Sequence, residues 1–217
     1  MADHLKLYDY FRSSASYRVR IALEWKGLAY ESIAVDLRTG MQRAAAYRSV
    51  NPQELVPALA DDGRLIAQSL AILEYLEETR PEPALLPVAP LDRARVRQLA
   101  ALIACDVHPL DNLRVLQYLE HELGVDEAKR LRWYQHWIIQ GLTAYESLLG
   151  DPRTSLYSHG DVPTFADVCL VPQVYNARRF HVDLAPFPKV VAIDARCRAL
   201  GAFTRAAPEA TEARSDH

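Results

Sequence analysis

The chain has 217 residues, half of them hydrophobic, with a formal net charge of −3 and a pI near 6.2. That composition supports one large or two smaller globular domains and carries no basic footprint for nucleic acid or an anionic membrane surface. No apolar run approaches the roughly 20 residues of a spanning helix, and the N-terminus enters a strand without an apolar leader, so a cytosolic protein is expected.

Leu5-Lys6-Leu7-Tyr8-Asp9-Tyr10 alternates with the period of a strand, and Val19, Ala22, Leu23 and Lys26 then recur at helical spacing. Between them Phe11-Arg12-Ser13-Ser14-Ala15-Ser16 forms a strand-to-helix turn. Ser13, Ser14 and Ser16 sit where unpaired backbone N–H groups and the positive end of the helix dipole favour an anion, a thiolate included. A serine here also caps the helix, the commoner role for that residue type. Gly27 suits a left-handed C-terminal cap, and Tyr30–Val35 reads as a second strand. Residues 40–50 are rich in alanine and suit a short helix, which Asn51-Pro52 ends. Val56-Pro57 enters the next strand irregularly, with a cis bond allowed, and Asp61-Asp62-Gly63 makes a hairpin into Arg64-Leu65-Ile66. Gln68-Ser69 opens a helix whose stripe is Leu70, Ile72, Leu73, Tyr75 and Leu76.

Prolines 81, 83, 87 and 90 mark a semi-rigid connector. The expected division is residues 1–84, a connector at 85–90, and an all-helical domain over 91–217. Helical periodicity runs from Leu91 to Leu119, with a kink at Pro109 close to His108, then from Asp126 to Leu149, from Thr164 to about Phe180, and again after Pro188. Thr164-x-x-Asp167 has the layout of a capping box. The polar segment from Pro208 to His217 is expected to fray. Cys105, Cys169 and Cys197 are odd in number, widely spaced and set in apolar helical patterns, which reads as reduced, buried thiols without nucleophilic use. Asp106-x-His108-x-x-Asp111 matches no metal-ligand spacing, and no metal is expected.

The whole therefore reads as a small α/β domain with a mixed sheet followed by an all-α domain. In that order, Ser13-Ser14-Ala15-Ser16-Tyr17-Arg18-Val19-Arg20-Ile21-Ala22-Leu23, Gln68-Ser69-Leu70-Ala71-Ile72, Leu76-Glu77-Glu78-Thr79-Arg80-Pro81 and Leu170-Val171-Pro172-Gln173 resemble the zeta-class glutathione transferases over essentially the full chain. That family contains maleylacetoacetate isomerases and bacterial maleylpyruvate isomerases, and Asp106 to Arg114 looks most like the bacterial members.

The resemblance implies the glutathione transferase fold, a thioredoxin-like domain with a helical bundle, assembled as a homodimer. It implies glutathione as cofactor and a small dicarboxylate as substrate. Ser13 would donate to the glutathione sulfur, the Val56 backbone would pair with its cysteinyl part, and Gln68 and Ser69 would hold its γ-glutamyl carboxylate. Ser14, Gln42, His108, Asn112 and Arg114 complete the implied cofactor or substrate contacts. Read without the family, His108 serves equally well to satisfy a carbonyl freed at the kink. Arg12 and Arg179 are the implied substrate clamps, with Arg12 also facing the enolate that thiol addition generates. Arg178 and Arg179, about 100° apart on a helix, do not both face inward. Ala15 stands where the family's best-known motif has cysteine, so any protein-thiol activity should be lost while a glutathione-dependent isomerisation need not be. A conjugating transferase for electrophilic xenobiotics or halogenated acids, and a non-catalytic interaction module, are the competing expectations.

Overall fold

A computed structural model describes residues 5–215. The chain divides into two compact units, one holding the residues up to Leu85 together with the segment from Ala199, the other spanning Leu86–Arg198.

The first unit is built on four strands, β1 (Leu5–Asp9), β2 (Tyr30–Ala34), β3 (Ala58–Asp61) and β4 (Arg64–Ala67), in the order β2-β1-β3-β4. Helix α1 (Ser14–Trp25) links β1 to its parallel neighbour β2, with Leu7 beside Ser32. β3 runs antiparallel to β1, Leu59 against Leu7, and β4 antiparallel to β3. The β3–β4 hairpin turns on Asp62 and Gly63, both at positive φ (47° and 81°), as a type I′ turn needs. α1 ends as expected: Gly27 is left-handed (φ 64°) and the Leu28 N–H reaches back to the Leu23 carbonyl (2.9 Å). A 3₁₀ turn (Met41–Arg43) and α2 (Ala45–Arg48) fill the Ala-rich stretch, and α3 (Ser69–Thr79) buries Ile72, Leu73 and Leu76.

Helices α10 (Gly201–Ala206) and α11 (Pro208–Ser215) belong to this unit, not to a helical domain running to residue 217. The reason lies in α1: Tyr17 Oη donates to the Phe203 carbonyl (3.2 Å), Arg20 Nε donates to the Ala206 carbonyl (2.9 Å), and Phe203 and Ala206 are buried. The fraying expected after Pro208 is likewise replaced by helix through Ser215, with Thr211 buried; the rest of that expectation falls on residues outside those described. The connector is held at its start, because buried Lys26 Nζ pairs with Glu77 (2.8 Å) and donates to the Pro83 carbonyl (3.0 Å), while Glu77 accepts from the Leu85 N–H (3.0 Å).

The second unit is helical: α4 (Pro90–Ala101), a π-helical turn (Leu102–Val107), α5 (His108–Asp111), α6 (Leu113–His121), α7 (Glu127–Leu148), α8 (Phe165–Arg179) and α9 (Pro188–Arg198). The single kinked helix expected over 91–119 is in fact interrupted twice. A π turn precedes Pro109, absorbing the hydrogen bond that proline cannot make, and the chain leaves the helix altogether at Asn112 (ψ 144°) rather than at His108. Gly141 of α7 lies against this turn; a Cβ there would meet Val107 Cγ2 at 2.1 Å. α8 is buried along most of its length, through Val168, Cys169, Leu170, Val171 and Val174 and also through the polar Asp167, Gln173 and Asn176. Its start carries the expected box: Thr164 N–H and O–H both donate to Asp167 Oδ2 (2.8 and 3.0 Å). Cys169 and Cys197 are buried free thiols, but Cys105 is exposed, because the π turn rotates it off the packed face that helical spacing gave it.

Candidate active site

In the first unit the candidate residues gather at two helix starts. Ser13 is the N-cap of α1 (φ −69°, ψ 117°), and its Oγ accepts the Ser16 N–H at 3.2 Å. A hydroxyl has one hydrogen to give and two lone pairs, so capping consumes an acceptor and leaves the O–H as a donor at the positive end of the helix. Both roles weighed for this serine are therefore compatible. Ser14 and Ala15 are buried in the first turn, and Ser16 is wholly buried with no partner for its Oγ, which removes it from the site. Arg12 is exposed, its guanidinium 4.9 Å from the Phe11 ring centroid.

The turn is braced from beneath. Arg20, 1% exposed, donates from Nη1 to both carboxylate oxygens of Asp9 (2.7 and 2.9 Å) and from Nη2 to the Phe11 carbonyl (2.9 Å), fixing the strand end on which Arg12 and Ser13 follow. A buried pair of this geometry leaves neither charge uncompensated, and losing one partner costs several kcal/mol.

At the second helix start, Gln68 takes φ 73° and ψ 116°, a sparsely populated region for a residue other than glycine, immediately before Ser69 opens α3. Its Nε2 donates to Gln53 Oε1 (2.8 Å). Ser69 is buried, and Arg18 of α1, 1% exposed, donates to its Oγ from Nη1 (3.1 Å), so a charge from α1 reaches the start of α3. With no acidic residue in the first turn of α3, backbone donors, dipole and the Arg18 charge all favour an anion. The Val56–Pro57 bond is cis. The carbonyl just before Val56, that of Leu55, accepts from Tyr47 Oη (2.6 Å) and Asn51 Nδ2 (2.7 Å), and burial pushes the Tyr47 hydroxyl up to about 12, keeping it a donor. Gln42 is buried with Oε1 lacking a donor.

The remaining candidates belong to the second unit. His108 opens α5 and is half-buried. Asn112 caps α6, its Oδ1 accepting the Arg114 N–H (3.1 Å), and Arg114 is exposed. On α8 the two neighbouring arginines go to different partners: Arg178 pairs with buried Asp194 (2.6 Å), while the Arg179 guanidinium sits 5.0 Å from the Phe180 ring centroid. That ring stacks on Tyr134 of α7 (centroids 3.8 Å).

Sequence reasoning missed Arg18, Arg20, Tyr47, Asn51 and Asp111. The two arginines left a signal, being charges set inside the apolar run Tyr17 to Leu23 of a helix whose every residue from Ser14 to Leu23 is buried. Nothing in the sequence marked Tyr47 and Asn51, whose function is to hold a carbonyl eight and four residues ahead.

A βαβ unit followed by an antiparallel hairpin and helix, with a cis Val-Pro at the strand entry, is a thioredoxin-like arrangement, and the glutathione S-transferase N-terminal domain matches residues 12–79. The chain is 54% identical over 209 residues to the maleylacetoacetate isomerase of Rhizobium meliloti, covering 96% of this chain and 98% of that one. Among solved structures, the holo form of a bacterial zeta-class maleylpyruvate isomerase has a TM-score of 0.93 at 51% identity, with 94% of this chain and 97% of that one covered. A maleylacetoacetate isomerase from Methylobacterium extorquens AM1 with bound malonate and glutathione has a TM-score of 0.92 at 42% identity, over 94% of this chain and 97% of that one. The chain belongs to the zeta-class glutathione transferases, in the family of the maleylacetoacetate and maleylpyruvate isomerases.

Proposed function

We propose that the chain is a glutathione-dependent cis–trans isomerase of a maleyl diketo acid, maleylacetoacetate or maleylpyruvate, working in aromatic catabolism. The observation that carries the proposal is the Ser13 O–H, left as a donor at the start of α1 while its oxygen caps the helix. The residues fit glutathione: Ser13 offers a donor to the sulfur, and Ser69 with the Arg18 charge beside it suits a carboxylate. Gln42 offers an unpaired acceptor, and Gln68 is held at positive φ beside Ser69.

When bound, glutathione supplies the thiol whose reversible addition to the cis double bond permits rotation. Ser13 and the α1 dipole favour the thiolate over the thiol, lowering its pKa from about 8.5. Arg12 offers a cation for the negative charge that addition places on the enol oxygen and, with Arg179, a planar fork for a carboxylate, and Arg114 offers a further fork on the substrate side. Ser14 sets the first turn of α1, and His108 and Asn112 line the substrate side. Because Ala15 offers no thiol, all turnover depends on added glutathione. The relative that holds malonate and glutathione together supports this pairing of a dicarboxylate with the thiol. Family likeness supports a homodimer in the cytoplasm, which sedimentation and fractionation check.

The test is spectrophotometric turnover of both diketo acids with glutathione at catalytic concentration. Formation of the fumaryl isomer with glutathione conserved is expected. Stoichiometric loss of glutathione into an adduct overturns the isomerase in favour of a conjugating transferase, and turnover without glutathione overturns the mechanism.

A further inference from the structure

Asp111 closes α5, one residue before the corner at Asn112, and is 5% exposed. Its Oδ2 accepts from Gln173 Nε2 of α8 at 3.2 Å, its sole hydrogen-bond partner among the described residues. Among the described residues, Oδ1 has no donor, and neither has the buried Oε1 of Gln173. A carboxylate here would be a buried charge facing one neutral amide, a costly arrangement, whereas a carboxylic acid supplies the hydrogen that this pair of acceptors lacks. Among the described residues, no cation forms an ion pair with Asp111. α7 contributes Tyr134, within electrostatic reach of both Asp111 and Arg179, and α8 contributes neutral Gln173. Asp106 of the π turn and Arg114 of α6 are exposed, and His108 lies one turn earlier on the same helix.

We propose that Asp111 is a positioning residue that works as a protonated carboxyl: paired with Gln173, it ties the corner bearing Asn112 and Arg114 to the helix bearing Arg179, and so sets the spacing of the two guanidinium groups for a dicarboxylate. The proposal rests on the reading of those arginines as substrate clamps. Burial agrees with it, pushing the carboxyl up to about 8 against a smaller lowering by Gln173.

The folded-state value then lies above the unfolded one, about 3.9. Stability from the neutral carboxyl is complete below that value and is lost as pH rises to about 8, where it levels off. Asp111→Asn keeps the acceptor for Gln173 Nε2, adds a donor for Oε1 and does not titrate. The Tm of Asp111→Asn relative to the wild type should therefore climb from pH 5 to 8 and stay constant above. A flat difference overturns the protonated carboxyl.

For positioning, malonate affinity by calorimetry and KM for the diketo acid are measured in wild type, Asp111→Asn and Asp111→Leu. On ionisation between pH 7 and 9 the wild type should weaken about tenfold for both dicarboxylates, the scale of one charge-assisted hydrogen bond. Asp111→Asn should hold its affinity across that range, and folded Asp111→Leu should be about tenfold weaker at pH 7 with glutathione affinity kept. Unchanged malonate affinity and KM in Asp111→Leu, or loss of glutathione affinity alongside, overturns the positioning role. A wild type that binds malonate but turns over neither diketo acid overturns the isomerase and leaves the malonate series to decide the positioning; one that binds no malonate overturns the proposal itself.

Discussion

On the proposed reading, the two units offer a place for an anion by opposite means. In the first, the donors are backbone N–H groups at the starts of α1 and α3, reinforced by Ser13 and by Arg18, whose guanidinium is buried on Ser69. In the second, they are guanidinium groups on long side chains: Arg114 is exposed after a helix cap, and Arg179 lies in the last turn of α8, where the dipole favours a cation in any case. The first design is inseparable from the fold, since the groups that meet the ligand also close the helices. The second is attached to a scaffold that stands without it. On that reading, a thiolate is one compact anion, which fixed backbone donors suit, while a dicarboxylate carries two separated charges, which planar guanidinium groups suit.

The sharpest way to break this contrast is Ser13→Ala. Removing one donor positioned for a developing anion should lower kcat by about 10- to 1000-fold. The same change deletes a helix cap, so stability should also fall by about 1 kcal/mol. Both effects together are the signature of a site built into the backbone, and an unaltered rate would remove Ser13 from the mechanism. Arg179→Ala should instead raise KM for the dicarboxylate by about 10- to 100-fold, the worth of a charge-assisted pair, with Tm and glutathione KM unchanged. Its neighbour gives the converse. Arg178→Ala removes a 2.6 Å partner from Asp194, leaving Arg198 at 3.0 Å, and should lower Tm without touching KM.

This same contrast decides what was legible in the sequence. Periodicity, the Asp62-Gly63 turn and the Thr164–Asp167 box are local signals, and the strands, hairpin and α8 follow from them. Ser13 was legible as a helix start, whereas Gln68 and Ser69 were legible only as the opening of a helix, their roles coming from the family resemblance. Long-range contacts were not. The return of α10 to α1 depends on the Tyr17 and Arg20 side chains finding carbonyls some 186 positions away. The π turn is a collective response to Pro109 and to the close approach of Gly141, which no single position announces. Asp111 drew attention only as part of a spacing that fits no metal, because its partner Gln173 lies 62 positions away in the chain.

A smaller effect probes how the first unit presents Val56. Tyr47→Phe removes one of the two donors on the Leu55 carbonyl while keeping the ring that packs near Tyr8 (centroids 6.0 Å). A neutral hydrogen bond contributes about 1 kcal/mol, so KM for glutathione should rise about fivefold with kcat nearly unchanged. Asn51→Ala, removing the other donor, should match it in direction. A change in dicarboxylate KM instead would mean that the carbonyl's placement serves the substrate.

The smallest effect tests whether the second unit's scaffold is separable from its clamps. Thr164 gives Asp167 two of its donors, and the same carboxylate takes the Ser158 N–H at 2.9 Å, so the box joins the start of α8 to the loop before it. Arg179 lies at the far end of that helix, four turns away at 3.6 residues per turn. Thr164→Ala removes only the hydroxyl, and the remaining N–H donors keep the carboxylate satisfied; the loss should be about 1 kcal/mol, a fall of about 2–4 °C in Tm. Thr164→Ser keeps the hydroxyl and should keep the Tm. Neither change should alter KM for glutathione or dicarboxylate, because a cap sets where a helix begins and packing sets where it points. A rise in dicarboxylate KM with Thr164→Ala would place the helix start within the binding machinery, and the second unit's site would then be as much a property of the fold as the first.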